Sequence, residues 1–147
     1  MIRKAVGAIV FKGDKFLIVG KVKVMSTPDG PTDIPIQWHI PGGGIIESDE
    51  SPRGALKREL LEETGSDQYR IIKVYENKIC FDFPNSVKER TGYKKQETTM
   101  FLVEYTGTDD RLVSIDEEIE RVEFVTKEQL LKRIEVRETQ DFIMRNL

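Results

Sequence analysis

Short apolar runs, separated by Gly, Pro and charged residues, mark out this chain. The runs are rich in β-branched and aromatic residues, which is typical of strands. They predict strands at residues 3–11, 16–19, 38–40, about 70–82, 98–105 and 122–125. Lys12–Lys15 predicts the turn of a first hairpin, and Gly42–Gly44, after Pro41, predicts an irregular turn. Polar loops are predicted at 25–35, 84–95 and 106–118.

Three segments are predicted to be helices, and two of them have recognisable end signals. Ser51 is a suitable N-cap, Pro52 suits the first helical position, and Gly65 suits the position after the last turn. The sequence Thr126–Gln129 forms a capping box that opens a second helix. A last helix is predicted around 138–146. Strands flanked by helices in this order predict one layered α/β domain covering residues 1–147.

Composition narrows the class of protein. The chain has 147 residues, of which 38% are hydrophobic and 33% charged, as in a well-solvated globular domain. A net charge of −3 argues against binding long nucleic acid mainly by phosphate neutralisation. Cys80 is the only cysteine, so no internal disulfide forms, and we expect a buried strand thiol. No signal peptide or membrane span is evident, which predicts a cytoplasmic protein without a membrane partner.

Three carboxylates share one face of the first predicted helix. Glu59, Glu62 and Glu63 fall within an arc of roughly 100° on a helix. Like charges at these spacings destabilise a helix, and the macrodipole disfavours anions in its last turns. A hard divalent cation, Mg²⁺ or nearly as well Mn²⁺, would relieve both conflicts. The alternative is a solvated acidic face with Lys57 and Arg58 as ordinary partners.

The residues around these carboxylates follow a fixed spacing. Gly44 is followed by five residues and Glu50, then by seven residues and Arg58-Glu59-Leu60, and the pattern ends with Glu62-Glu63, one residue and Gly65-Ser66. This pattern resembles the Nudix box. Two features depart from the family: the box usually ends in an aliphatic residue, and the step from Pro41 to Glu50 is nine residues where the family usually has eight. The resemblance implies a Nudix-type α/β/α sandwich with a mixed sheet.

The resemblance also implies an activity, namely metal-dependent hydrolysis of a diphosphate linkage in a nucleotide substrate. Glu59, Glu62 and Glu63 resemble the metal-binding glutamates, with Glu62 also counted as catalytic. Arg58 and Glu50 resemble the pair that braces the loop against the helix. The backbone carbonyl of Gly43 or Gly44 would be a further metal ligand. For a general base the resemblance favours Glu118, with Glu120 second.

A second resemblance concerns the substrate. Phe81-Asp82-Phe83-Pro84, followed by a basic loop and Gln96, is similar to one Nudix branch. That branch holds the diadenosine tetraphosphate hydrolases and the RNA 5′ pyrophosphohydrolases, so the resemblance implies a dinucleoside polyphosphate or an RNA 5′ end as substrate. The substrate-binding residues expected from this loop are Lys88, Arg90, Tyr93, Lys94 and Lys95.

Other functions stay open at this point. Within the same chemistry, the alternatives are a pyrophosphatase for modified dNTPs or for nucleotide sugars. From another class, a catalytically silent domain that binds a nucleotide and regulates a partner would fit the same fold. An isoprenoid diphosphate isomerase would need a suitably placed reactive cysteine, and the chain offers only Cys80. The oligomeric state does not follow from the sequence.

Overall fold

The computed structural model describes the backbone of residues 1–22, 24–27, 30–33 and 36–147. Side chains are described for residues 1–22 and 36–147. Ten strands lie within these ranges: β1 Ile2–Lys12, β2 Lys15–Lys21, β3 Val24–Thr27, β4 Gly30–Asp33, β5 Gln37–His39, β6 Gly42–Gly44, β7 Tyr69–Val74, β8 Ile79–Asp82, β9 Lys95–Tyr105 and β10 Ile119–Val125. The helices of the same ranges are α1 Pro52–Thr64, α2 Asn85–Thr91, α3 Lys127–Arg133 and α4 Arg137–Asn146. None of these helices is both long enough and apolar enough to cross a bilayer.

Within the described residues, eight of the strands form one mixed sheet. Its main path runs β10-β2-β1-β9-β7, while β5 pairs with β2, β6 with β1 and β8 with β9. The central strands β1 and β9 are parallel, and every other pairing in the sheet is antiparallel. β1 pairs with β2 only around Phe11 and Lys12, and its first half pairs with β6. The sheet therefore opens beside the glycine strand β6.

Apolar side chains cover both faces of this sheet because successive residues of a strand point to opposite sides. On one face Val6, Ala8 and Val10 of β1 pack in a cluster with Leu56 and Leu60 of α1. On the other face lies a second cluster with α3 and α4, which includes Ile9, Ile18, Met100, Leu130, Ile134, Phe142 and Ile143. Helices on both faces of a mixed sheet confirm the α/β/α sandwich.

The elements differ from the predictions in four places. The strand predicted at 70–82 is two strands, β7 and β8, and the loop predicted at 84–95 contains the helix α2. Gly42–Gly44 is a strand rather than an irregular turn, because it pairs with β1. Of the loop predicted at 25–35, the described residues pair as β3 and β4, and the others lie outside the described residues.

Cys80 is exposed, so the prediction of a buried thiol was wrong. It pairs with Glu97 and faces away from Ile79, which packs in the core beside α4.

Candidate active site

Helix α1 carries the carboxylates, and its ends form as the sequence predicts. The Ser51 side chain accepts a hydrogen bond from the Gly54 N–H at 3.0 Å, with Pro52 in the first turn. At the other end Gly65 takes the left-handed conformation with φ of 72°, and its N–H donates to the Leu61 carbonyl. Leu56 and Leu60 anchor the helix to the sheet. The opposite side of α1, with its glutamates, is held at the opening beside β6.

Arg58 is braced by Asp49, not by Glu50. Its Nε and Nη2 donate to the two carboxylate oxygens of Asp49 at 2.9 and 3.0 Å, a bidentate pair. Asp49 also accepts the Ile46 N–H, and these donors lower the pKa of its carboxyl. Glu50 is exposed and makes no such contact within the described residues. In this structure Asp49 therefore makes the contact with Arg58 that was expected of Glu50.

The eight-residue step from Pro41 reaches Asp49, and that count is the sequence signal that would have identified it. The extra residue of this chain thus follows the bracing position, between Asp49 and the helix, and does not lie in the glycine turn. Asp49, one position before Glu50, reaches the Arg58 guanidinium from there.

Arg58 also contacts two of the three predicted metal glutamates. Its Nη1 donates to Glu59 at 3.0 Å and to Glu62 at 3.3 Å. The third, Glu63, is nearly inaccessible, and its carboxylate accepts the Gly42 N–H at 2.8 Å and lies 3.7 Å from the Lys21 Nζ. The structure therefore brings Glu59, Glu62 and Glu63 together, with Glu62 as the most exposed of the three.

The glycine strand lies directly against these carboxylates. A Cβ placed on Gly43 would be 2.5 Å from the Glu59 Oε1. Any residue other than glycine would therefore displace the Glu59 carboxylate. Two backbone hydrogen bonds flank the pairing of β6 with β1: the Ala8 N–H donates to the Pro41 carbonyl, and the Ile45 N–H donates to the Lys4 carbonyl. Since bonded and non-bonded pairs alternate in an antiparallel ladder, the Gly43 carbonyl points toward β1.

The same alternation turns the backbone of Gly42 and Gly44 away from β1. The Gly44 carbonyl accepts a hydrogen bond from Arg58 Nη2 at 3.0 Å. The Gly42 N–H donates to Glu63, so the Gly42 carbonyl also lies on the side of the carboxylates. The backbone ligand expected from Gly43 or Gly44 is thus better placed at Gly42.

Burial makes this cluster difficult to ionise. It raises the pKa of Glu63 to about 8, with Glu59 and Asp116 adding repulsion that Lys21 and the Gly42 N–H oppose. Burial also raises the pKa of Glu59, although Arg58 pulls it down. Adjacent carboxyl groups with raised pKa values are typical of a functional site, and a cation beside them would favour their ionised forms.

We tested whether the residues present fit a divalent metal ion. Among the described residues, no three His, Cys, Asp or Glu side chains already stand in metal-ligand arrangement, because Arg58 and Lys21 hold the glutamate oxygens. The donor set nevertheless consists of hard oxygen atoms, and Gly43 leaves space beside Glu59 for close backbone approach. The donor atoms therefore suit a hard divalent cation after rearrangement of these side chains.

The loop before β10 is fixed to the end of α1. The Glu62 carbonyl accepts hydrogen bonds from the N–H groups of Ile115 and Asp116 and from the Ser114 hydroxyl. Asp116 in turn accepts the Glu118 N–H at 2.9 Å. The Glu118 carbonyl accepts the Val22 N–H, and its side chain is exposed. Asp116, which the sequence did not single out, is thus the loop carboxylate whose charge acts on Glu63.

Glu120, the second candidate for a general base, is exposed on β10. The basic residues expected to bind substrate lie away from the carboxylates, in α2 and near the beginning of β9. Lys88 and Arg90 belong to α2, while Tyr93, Lys94 and Lys95 follow it, and Lys94 donates its N–H to the Met1 carbonyl. None of them contacts the carboxylates of α1 within the described residues.

A cleft of about 290 Å³ opens between β6 and β8. Its described lining includes Lys21, Gly42 and Gly43 on the side of the carboxylates and Phe81 on the side of the basic residues. It thus joins the two parts of the candidate site.

The comparisons with known proteins agree with this geometry. The NUDIX domain model matches residues 1–147. The chain is 38% identical over 98 residues to Nudix hydrolase 26 of Arabidopsis thaliana, covering 63% of this chain and 45% of that protein. It is 36% identical over 108 residues to an RNA pyrophosphohydrolase of Bartonella tribocorum, covering 71% and 61%. The chain thus spans about half to three fifths of these relatives.

Among solved structures, the MutT protein from Methanosarcina mazei Go1 superposes with a TM-score of 0.71 at 22% identity, covering 98% of this chain and 91% of that one. At that identity the likeness concerns the fold. Together with the family match over the whole length, it shows that this chain belongs to the Nudix hydrolase family.

Proposed function

We propose that this chain is a metal-dependent pyrophosphohydrolase that cleaves a diphosphate linkage in a nucleotide substrate, with an RNA 5′ end as the first candidate. The observation that carries the proposal is the cluster of Glu59, Glu62 and Glu63 beside the glycine strand. Burial raises the pKa of two of these carboxyl groups, Glu59 and Glu63, and a cation beside them would favour their ionised forms.

The residues that would hold a divalent cation are Glu59, Glu62, Glu63 and the Gly42 carbonyl. When bound, Mg²⁺ or Mn²⁺ supplies charge neutralisation for the diphosphate oxygens and lowers the pKa of a coordinated water. Arg58 keeps Glu59 and Glu62 aligned while Asp49 fixes its guanidinium. Because burial raises the pKa of Glu63, its carboxyl group would have to lose a proton to serve as a metal ligand.

The reaction is the attack of water on phosphorus. A new P–O bond forms to the water oxygen, the bridging P–O bond breaks, and the proton of the water passes to a carboxylate of the protein. We assign that role to Glu118. Asp116 accepts the Glu118 N–H, whereas the side chain of Glu118 is exposed and forms no hydrogen bond or ion pair with the described residues.

Two observations support an RNA 5′ end. The Bartonella relative, 36% identical over 71% of this chain, is named RNA pyrophosphohydrolase. Basic residues also lie beyond the Phe81 side of the cleft, where the phosphates of a following chain would be bound: Lys88, Arg90, Lys94 and Lys95. A dinucleoside polyphosphate is the second candidate, since the segment Phe81–Pro84 resembles the branch that contains both activities.

The test is a substrate panel with the purified protein and Mg²⁺. The panel contains 5′-triphosphorylated RNA, diadenosine tetraphosphate, dNTPs with oxidised bases, ADP-ribose and sugar nucleotides. We expect cleavage between phosphorus atoms, fastest with triphosphorylated RNA, and loss of that activity in Glu62→Gln. Glu128→Gln is the matched control because Glu128 is an exposed glutamate of α3, outside the candidate site.

Each outcome has a distinct meaning. Cleavage of a small nucleotide with no activity on RNA would overturn the substrate assignment and retain the chemistry. Tight binding of a nucleotide without turnover would indicate a regulatory binding domain and overturn the proposal. Equal turnover by wild type and Glu62→Gln would remove the carboxylate helix from the mechanism.

A further inference from the structure

The cleft beside β6 has an unusual charge distribution for this protein. The chain contains 26 acidic and 23 basic residues, yet no Asp or Glu lines the cleft among the described residues. Two cationic side chains do line it, Lys21 at the carboxylate end and Arg3 farther along β1. A concave site with cations and no carboxylate attracts an anionic ligand.

Of the two cations that line the cleft, Arg3 is the one without an acidic partner among the described residues. Lys21 lies 3.7 Å from the Glu63 carboxylate, and Arg58, on the opposite side of β6, is bonded to three carboxylates. Arg3 forms no ion pair with any residue that the structure describes. Its Nη1 donates to the neutral side-chain oxygen of Gln96 at 2.5 Å.

The strand register explains this contact. Arg3 of β1 pairs directly with Gln96 of the parallel strand β9, so both side chains leave the sheet on the same face. The Gln96 amide donates in turn to the Thr98 hydroxyl at 3.3 Å, and Thr98 is buried. Gln96 is thus held at both ends of its amide, and its oxygen stays aimed at the guanidinium.

Gly44 fixes the other side of the guanidinium. A Cβ placed on Gly44 would lie 2.5 Å from Arg3 Nη2, so the side chain rests directly on the glycine backbone. Alternation along β6 places Arg3 on one side of this strand and Glu59, against Gly43, on the other. Arg3 therefore lies on the cleft side of β6, and the carboxylates that would hold the cation lie on the other side of this short strand.

We propose that Arg3 binds a phosphate group of the substrate in this cleft and that Gln96 is its positioning residue. This inference rests on the proposed function, because it names a binding residue of the same site. A guanidinium has five N–H donors in a rigid fork that matches phosphate oxygens. A neutral amide orients that fork and leaves its full charge to the ligand, which a carboxylate partner would not do.

The test compares Arg3→Ala, Arg3→Lys and Gln96→Glu on the substrate that the panel identifies. We expect Arg3→Ala to raise KM by about tenfold to a hundredfold with a much smaller change in kcat, since a charge-assisted contact made in both ground and transition state is lost. Arg3→Lys should recover only part of the loss. Gln96→Glu should raise KM although Arg3 is intact, because the new carboxylate would pair with the guanidinium.

Arg70→Ala is the matched control, since Arg70 is an exposed arginine paired with Glu104 on the edge strand β7. Thermal unfolding of each variant separates binding from folding, and Gln96→Glu is expected to fold well because it gains an ion pair. An unchanged KM in folded Arg3→Ala or Gln96→Glu would overturn the inference.

The proposed function and this inference fail in different ways. If the wild type cleaves the substrate while Arg3→Ala behaves as the wild type, only the role of Arg3 is lost. If the wild type cleaves nothing, calorimetric titration with ATP and Mg²⁺ still tests Arg3, through the same expected weakening in Arg3→Ala. No binding of ATP by the wild type would overturn both.

Discussion

Arg58 is the residue on which the geometry of the carboxylate helix depends. Its guanidinium donates to Asp49 in the preceding loop, to the Gly44 carbonyl in β6 and to Glu59 and Glu62 on its own helix. One side chain therefore connects three consecutive segments of the chain: β6, the loop that follows it and α1. Such a planar group cannot be replaced by a point charge without loss of alignment.

Asp49→Asn and Glu50→Gln are matched substitutions at neighbouring positions. We expect Asp49→Asn to reduce kcat/KM by about tenfold to a hundredfold, because it removes the carboxylate that orients Arg58. Glu50→Gln should have little effect, since Glu50 is exposed and does not contact Arg58. Steady-state kinetics on the substrate of the panel measure both. A large loss in Glu50→Gln alone would restore Glu50 as the bracing residue.

Glu63 predicts how stability depends on pH without divalent metal. Burial raises its pKa to about 8 from 4.5, so between these values the folded protein binds more protons than the unfolded chain. The free energy of unfolding should therefore fall as pH rises from 4.5 to 8, by at most about 1.4 kcal/mol per pH unit for this group, and then level off. Denaturant unfolding in a chelator measures the slope.

Glu63→Gln should reduce that slope because the glutamine does not titrate. The affinity of the wild type for Mg²⁺ or Mn²⁺ should rise over the same pH range, since the cation competes with the proton. An unchanged slope in Glu63→Gln would contradict the assignment of the raised pKa.

At the scale of elements, the site is an arrangement of a helix, a glycine strand and a loop. α1 supplies the glutamates, β6 brings its backbone against them, and the loop from Ser114 to Glu118 is bonded to the last turn of the helix through the Glu62 carbonyl. β6 is possible only because β1 separates from β2 along its first half.

Gly43→Ala tests the close approach of β6 to α1. The added Cβ would lie 2.5 Å from Glu59, so the carboxylate must move away from the position where it would bind a cation. We expect affinity for Mn²⁺, measured by calorimetry, to fall by about tenfold or more while the fold is retained. Gly54→Ala is the control: its nearest contact is at 3.5 Å, and helix propensity should raise stability by about 0.5–1 kcal/mol.

The loop before β10 yields a paired test of the general base. Glu118→Gln should lower kcat by about a hundredfold or more, as expected for loss of a proton acceptor. Asp116→Asn should have a much smaller effect, because an asparagine oxygen still accepts the Glu118 N–H. The two kcat values are compared: a larger loss in Asp116→Asn than in Glu118→Gln would assign the general base to Asp116.

At the scale of the molecule, the hydrophobic core lies apart from the residues proposed to bind the cation. Two apolar clusters, one on each face of the sheet, involve α1, α3 and α4 without any contribution from the carboxylates that would bind metal. The site lies beside these clusters, at the opening of the sheet.

Removal of divalent cations should therefore abolish turnover and leave the fold intact. With EDTA we expect no cleavage, an unchanged far-ultraviolet circular dichroism spectrum and a lower Tm than with Mg²⁺. A ligand at a hundred times its Kd stabilises the folded state by about 2.7 kcal/mol, which sets the scale of that shift. Turnover that persists in EDTA would contradict metal dependence, and loss of the spectrum would show that the cation is structural.

The sequence by itself determined the features that depend on local spacing. Ser51, Pro52 and Gly65 set the ends of α1, and the helical period places three glutamates on one face. The apolar run of β1 predicted a strand, and strand geometry places Val6 and Ile9 on opposite faces of the sheet. These features follow from residues only a few positions apart, so no knowledge of the rest of the fold is needed.

Only the tertiary structure decided which groups meet across segments. The choice of Asp49 over Glu50 depends on the path of the loop beside Arg58, and the orientation of the glycine carbonyls depends on the register of β6 with β1. The position of Arg3 against Gln96 requires a parallel pairing of residues 93 positions apart. Such contacts depend on chain path and register, which a spacing pattern does not contain.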